Sequence, residues 1–233
     1  EGIMPQTSEH LNIISSLGIK QGIVALTKVD LVDNELIEIA ISEISDFLKN
    51  SILENAPIIP ISLATGKGKD NLVDEITKIA SSFSETEPGK TFTMYIDRLF
   101  TVKGHGSVVT GSVGEGKINT GDDLFLIPGK GEKYRVRSIE RHGKAVDSVQ
   151  KGDRAAINLT GLKAEDFARG MMLSNKNLET TIMIDAQIKT FDSSPDFSTW
   201  TDIIFLSGTF QSTAKMHLLD CNKLSGGKTA IVQ

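Results

Sequence analysis

Two kinds of hydrophobic spacing divide the chain. Residues 1 to about 85 alternate between helical and strand-like periods. In SEHLNIISSLGI, Leu11, Ile14 and Leu17 recur at helical intervals, with Ser8 placed as an N-cap and Gly18 as a stop. GIVALT is a continuous apolar run of the kind buried on both faces of a parallel sheet. NELIEIAISEISDFLKNSI predicts a long amphipathic helix that turns Leu36, Ile39, Ala40, Ile44, Phe47 and Leu48 inward. APIIPIS predicts a second short strand and KDNLVDEITKIASSF a third helix. An α-β-α-β-α order is that of the closing part of a doubly wound α/β domain.

After SETEPGK the spacing shortens to strands separated by glycines, from Gly104 and Gly106 through Gly161, which predicts a small all-β barrel or sandwich. Gly104, His105 and Gly106 read as a hairpin turn and not as a phosphate loop, since no helix follows. A second break near SNKNLETT leads to the strand-like runs IMIDAQIKTF, TDIIFLSGTF and AKMHLLDC, expected to form a further, incomplete β domain. The expected fold class is therefore multidomain α/β plus all-β, with boundaries at 1–85, 86–176 and 177–233.

Composition narrows the classes. Of 233 residues, 39% are hydrophobic and 24% charged, as in ordinary globular proteins, and a net charge of -5 argues against a chain that coats nucleic acid nonspecifically. A local basic face remains compatible with phosphate contact. A lone cysteine, Cys221, excludes an internal disulfide, and the four histidines lack ligand spacing, so no metal site is expected. No apolar run spans a bilayer and no signal sequence is present, which predicts a cytoplasmic protein with no membrane partner. The chain opens without methionine and stops inside a strand-like run, so it is expected to be a piece of a longer protein.

Chemistry concentrates in three places. TKVD (Thr27 to Asp30) follows the first strand and SLATGKG (Ser62 to Gly68) the second, and the carboxyl ends of parallel strands are where such sheets bind ligands. An aspartate there accepts from the N1–H and exocyclic amine of guanine, while a lysine stem covers the ring face. TKVD alone reads as a polar turn; the second loop, 32 residues beyond Asp30 and again after a strand, favours the ligand reading. No G-x-x-x-x-G-K-[ST] loop occurs in the chain, so no catalytic residue and no GTP hydrolysis are expected. The third place is TMYIDRLFTVKGHGSVVTG, which sets Asp97 beside Arg98. By pair chemistry alone these are an exposed strand-end pair worth under about 1 kcal/mol, and Arg154 is an ordinary surface arginine.

The stretch EGIMPQTSEHLNIISSLGIKQGIVALTKVDLVD resembles the segment of translational GTPases that follows switch II, and GHGSVVTGSVGEGKINTGDDLFLIPG is similar to the second-domain barrel of elongation factor Tu. The resemblance covers essentially the whole chain. It implies a P-loop GTPase domain entered after its P-loop and both switches, followed by two β-barrels. Elongation factor Tu is acidic at both positions of the pair. IDRLFTVKGHGSVVTG, with VRSIERHGKAVDSV and KGDRAAINLTG, instead resembles the selenocysteine-specific elongation factors.

That likeness implies an aminoacyl pocket for selenocysteine at Asp97, Arg98 and Arg154, with His142 a further candidate at its edge. It implies guanine-base contacts at Thr27, Lys28, Asp30, Ser62, Leu63 and Ala64. The implied cofactors are GTP or GDP with magnesium in the parent protein, none held tightly by this segment. The implied partners are selenocysteinyl-tRNA and the ribosome, with the messenger RNA hairpin read only by a module beyond Gln233. Thr27 stands where many GTPases have Asn and Leu63 where many have Ala, which implies weaker base affinity. Two other readings stay open: a related factor, of the elongation factor Tu or general GTP-binding type, in which the pair has no amino-acid role, and a non-catalytic β-barrel interaction module.

Overall fold

The computed structural model describes residues 2–83, 87, 89–102 and 106–233. They fall into two compact units, residues 1–86 and 87–233. Gly104 and His105, expected in a hairpin turn, lie outside the described residues; Gly106 opens a strand.

In the first unit α1 (Pro5–Ser16) precedes β1 (Val24–Leu26), α2 (Asn34–Leu48), β2 (Ile58–Pro60) and α3 (Lys69–Ser82). The two strands pair in parallel, Val24 opposite Ile58 and Leu26 opposite Pro60. The first helix corrects the sequence reading. Its N-cap is Met4, and Ser8 sits inside the first turns. Pro5 occupies N1, where the missing N–H costs nothing and the fixed φ suits the helix. Gly18, at φ 70°, does end the helix, but Leu17 beside it is exposed.

Asp33 caps α2, its side chain accepting from the Leu36 N–H at 2.9 Å. The buried face is Ile37, Ile44 and Leu48, with Ala40, Ile41 and Phe47 half-buried. Leu36 and Ile39 are exposed, contrary to the expected inward stripe. The inward face runs at intervals of four, three and four from Ile37, and Leu36 and Ile39 lie about 100° or more off it in a 3.6-residue helix.

The second unit opens with β3 (Thr93–Val102), β4 (Gly106–Glu115), β5 (Lys117–Asn119), β6 (Asp123–Ile127), β7 (Lys133–Arg141), β8 (Lys144–Val146), β9 (Ser148–Gln150), β10 (Arg154–Thr160) and β11 (Met172–Ser174). Strand order is β10-β4-β3-β11-β6-β7, and a further antiparallel pairing of β10 with β7 closes the circuit. Every pairing around it is antiparallel, the topology of a small barrel with no free edge. Side chains from these strands, among them Met94, Ile96, Val109, Leu124, Val136, Ile157 and Leu173, fill it together with Phe92, which immediately precedes β3. Asn175 ties the seam: its carbonyl accepts from the Phe92 N–H at 2.9 Å and its amide donates to the Lys90 carbonyl at 3.1 Å.

The strands that follow are β12 (Ala186–Lys189), β13 (Phe197–Ser198), β14 (Thr201–Ser207), β15 (Phe210–Met216), β16 (Lys223–Leu224) and β17 (Thr229–Val232). They pair β12 with β17, β13 with β16 and β14 with β15, over a smaller core of Met216, Leu218, Leu224, Ala230 and Val232. Two expected strands shorten. In IMIDAQIKTF only Ala186–Lys189 pairs, and Ile182, Met183 and Ile184 are exposed; in AKMHLLDC the strand ends at Met216, Leu218 adding a single bridge to Val232. Apolarity without a facing strand leaves the backbone unpaired.

One feature of β3 governs the site. Ile96 pairs with Gly111 and Arg98 with Thr110, so Asp97 is an extra residue with no partner on β4. A Cβ on Gly111 would lie 2.1 Å from the Tyr95 carbonyl oxygen, so the bulge needs glycine opposite it. Gly111→Ala is expected to destabilise this unit by about 1–3 kcal/mol in denaturant unfolding, whereas Gly121→Ala, which meets no atom but has φ 92°, costs only backbone strain.

At the far end of β4 the Glu115 carboxylate accepts from Lys151 Nζ at 2.7 Å and from the N–H groups of Gly89 at 2.8 Å and Gly116 at 3.2 Å. The Lys151 hydrogen bond first, then those two N–H groups, hold its carboxyl down from the ordinary 4.5 to about 2. A depressed folded value stabilises fully above the ordinary range and is lost as pH falls through 4.5 toward 2. Glu115→Gln is therefore expected to flatten the acid limb of the pH-stability curve in that window while leaving the neutral plateau's slope unchanged.

Candidate functional site

In the first unit, the loops after β1 and β2 are clasped together. Ile61 donates its N–H to the Leu26 carbonyl at 2.8 Å, and the Val29 N–H donates to the Ile61 carbonyl at 3.3 Å. Lys28 takes a left-handed conformation, φ 61°, into a single 3-10 turn over Val29–Leu31, which buries Val29 and leaves Thr27, Lys28 and Asp30 exposed. Ser62 is buried and organises the second loop: its hydroxyl accepts the Thr65 N–H at 3.2 Å, its carbonyl the Gly66 N–H at 2.9 Å. Leu63, 87% exposed, and Ala64 stand out at the rim. Gly68 follows at φ 76°, where a Cβ would lie 2.1 Å from the Pro60 carbonyl oxygen.

The six residues singled out in the sequence thus sit on two adjoining loops at one end of the parallel pair. Among the described residues the Asp30 carboxylate has no hydrogen-bond or ion-pair partner. Lys28 and Asp30, both exposed, flank the buried Val29 on the first of these loops.

In the second unit, Asp97 projects from the bulge and Arg154 from the first position of β10, which lies on the other side of β4 from β3. Their side chains meet, Arg154 Nη1 to Asp97 Oδ2 at 2.6 Å. Asp97 is thus paired with the distant arginine and not with its sequence neighbour. Arg98, opposite Thr110, has no ion-pair partner among the described residues. Arg141 nearby is committed to Asp153 at 3.0 Å.

A cavity of about 300 Å³ is lined by Asp97, Arg98, Arg154, Arg169 and Thr209. Its lining thus holds three arginines and one aspartate. A neighbouring cavity of about 360 Å³ shares Arg98 and Arg154 and adds Phe100, Glu140 and His142. His142 sits at φ 52° in the turn joining β7 to β8, so it edges this neighbour and does not line the cavity that holds Asp97.

Arg169 and Thr209 escaped the sequence reading. Arg169 lies in FARGMM, with no motif around it, and Thr209 is 112 positions from Asp97. Only the docking of the β14–β15 turn on the barrel brings them in. Ser207 shares a hydrogen bond of 3.1 Å with the Tyr95 hydroxyl, and the Thr209 hydroxyl donates to the Ile96 carbonyl at 2.9 Å. Gly208, at φ 57°, lies against the Tyr95 ring, where a Cβ would come within 2.4 Å of it.

Among the described residues no three His, Cys, Asp or Glu side chains gather as a metal site would require, and no helix is long and apolar enough to cross a membrane.

Residues 1–82 match the elongation factor Tu GTP-binding domain, and residues 106–174 match elongation factor Tu domain 2. A selenocysteine-specific elongation factor of Desulfomicrobium baculatum is 39% identical over 235 residues, an alignment that takes in 100% of this chain and 37% of that protein. The chain therefore spans little more than a third of that curated relative's length. Among solved structures, a bacterial selenocysteine-specific elongation factor, EF-Sec, superposes with a TM-score of 0.78 at 32% identity, covering 100% of this chain and 38% of the other. Apo elongation factor SelB of Methanococcus maripaludis superposes with a TM-score of 0.84 at 26% identity, covering 100% and 53%. The closed antiparallel circuit, the two matching family models and a similarity that runs the whole length of this chain agree: the chain belongs to the elongation factor Tu-related translational GTPases, in the branch of the selenocysteine-specific elongation factors.

Proposed function

We propose that this chain is part of a GTP-dependent elongation factor that delivers selenocysteinyl-tRNA to the ribosome in the cytoplasm, with the selenocysteine side chain received by the barrel cavity at Asp97, Arg98 and Arg154. One observation carries the reading: three arginines and a single aspartate line a cavity of about 300 Å³ where the β14–β15 turn docks on the barrel. A selenol is more acidic than a thiol, so selenocysteine is an anion at neutral pH, whereas serine on the same tRNA is neutral. A charge-assisted hydrogen bond contributes about 1.5–3 kcal/mol, and two of them separate the residues by two orders of magnitude or more. Asp97, through its contact with Arg154, holds that guanidinium in place.

In the α/β unit the reading assigns guanine to the clasped loops, Asp30 accepting from the ring N1–H and exocyclic amine, Lys28 covering the ring face, and Thr27, Ser62, Leu63 and Ala64 forming the walls. Bound GTP with magnesium supplies the phosphoryl chemistry of such factors. The residues this chain offers are those of the base side. Residues 1–85 then form part of the GTPase domain, 86–176 the barrel with the aminoacyl pocket, and 177–233 part of a further β domain. Contact with a messenger RNA hairpin is assigned to a module outside these 233 residues.

The chain by itself is expected to bind GTP or GDP only feebly and to release no phosphate, because it contains no phosphate-cradling G-x-x-x-x-G-K-[ST] loop. Micromolar affinity in calorimetry contradicts this. In the whole protein, Arg98→Ala or Arg154→Ala is expected to weaken selenocysteinyl-tRNA binding about ten- to 150-fold, the equivalent of one charge-assisted hydrogen bond each, with GTP affinity unchanged. Asp30→Asn as the reciprocal control is expected to impair GTP binding and spare the barrel. The double arginine variant need not be additive, since both groups face one anion. Wild-type discrimination against seryl-tRNA in both arginine variants returns the pair to an exposed surface contact and favours a related factor without a selenocysteine pocket.

A further inference from the structure

We infer that Thr209 is a positioning residue for this pocket: its hydroxyl fixes the β3 bulge from which Asp97 and Arg98 project, so selectivity in the barrel depends on a turn supplied from outside the barrel. The inference rests on the selenocysteine reading of the cavity. Ile96 is the last residue of β3 in the regular phase, its side chain fully buried in the core. Its backbone is held on both sides by groups that are not on β4. The Ile96 N–H donates to the Met171 carbonyl at 2.9 Å, and its carbonyl accepts the Thr209 hydroxyl at 2.9 Å. A bulge leaves its extra residue unpaired and bends the strand there, so these two bonds hold the residue immediately before the bend. The extra residue is Asp97, which in turn holds Arg154.

The turn that carries Thr209 is itself constrained. It is a two-residue connection between Ser207 and Phe210, which pair across the hairpin, with Gly208 at φ 57° in its first central position. The Tyr95–Ser207 hydrogen bond and the close approach of Gly208 to the Tyr95 ring fix it on β3 one residue before Ile96. On the other side, Gly170, at φ 98°, lies where a Cβ would come within 2.8 Å of the Phe210 Cα, which fixes the segment carrying Arg169. Thr209 therefore touches the pocket twice, as a wall and through the Ile96 carbonyl.

The test measures, in the whole protein with GTP bound, the affinity ratio of selenocysteinyl-tRNA to seryl-tRNA for Thr209→Val, Thr209→Ala, Thr209→Ser and Arg154→Ala, together with GTP affinity and thermal midpoint. Thr209→Val, which keeps the shape and removes the hydroxyl, is expected to lower the ratio about fivefold, the equivalent of one net hydrogen bond, with GTP affinity unchanged. Thr209→Ala repeats the loss should the valine variant fail to fold, and Thr209→Ser, which keeps the hydroxyl, holds the wild-type ratio. A wild-type ratio in the valine and alanine variants while Arg154→Ala loses it overturns this inference and leaves the pocket reading standing. A wild-type ratio in Arg154→Ala overturns the pocket reading and this inference with it. An equal loss of both tRNAs in Thr209→Val, or a ratio lost in Thr209→Ser, makes Thr209 a packing residue and overturns the inference.

Discussion

The phase of β3 depends on one extra residue. Phe92, Met94 and Ile96 alternate into the barrel core, and strict period-2 alternation would place Arg98 there next. A lone guanidinium in that core would lack a partner, at a cost of several kcal/mol. The bulge at Asp97 shifts the phase by one: Leu99 packs against the core and Arg98 is exposed. The same shift gives Asp97 a direction that no regular strand position has, across β4 to Arg154. Gly111 is the condition for it, because any Cβ on β4 at that point meets the Tyr95 carbonyl.

The charges around the cavity contribute little to stability. Arg154 and Asp97 are 57% and 29% exposed, and pairs of that kind are worth at most about 1 kcal/mol. Stability resides in the apolar side chains inside the closed circuit of strands. The arginines instead concentrate positive charge at one place, three of them against one aspartate in the cavity lining. The wall is shared: β3 and β10 belong to the barrel, while Thr209 arrives on the β14–β15 turn. The α/β unit uses a different device, two loops clasped by backbone hydrogen bonds, with Thr27, Lys28 and Asp30 exposed on the first.

Much of this was legible in the residues. The order of helices and strands in the first unit followed from apolar spacing, since a buried strand and an amphipathic helix impose different periods on the same side chains. Helix faces and caps were read less well. Ser8 satisfied the preference for an N-cap, but Pro5 began the helix earlier; Leu36 and Ile39 are as apolar as Ile37, and only the packed neighbours decide which stripe is covered. In the last segment, Ile182 to Ile184 carry strand propensity without a strand facing them, so propensity overstated the pairing.

The sequence by itself determined the chemistry available: a TKVD turn and a serine-led loop each following an apolar run, an acid next to an arginine, a second arginine in KGDRAAINLTG, and glycines where the backbone had to bend. These are local facts, set by residue type and spacing. Tertiary structure alone decided the partners. That Asp97 binds Arg154 and leaves Arg98 unpaired among the described residues depends on β4 lying between β3 and β10 and on a one-residue register shift; that Arg169 and Thr209 join them depends on where a hairpin turn docks. Strand pairing and docking are set by long-range contacts summed over the whole core, and no single stretch of sequence carries that sum.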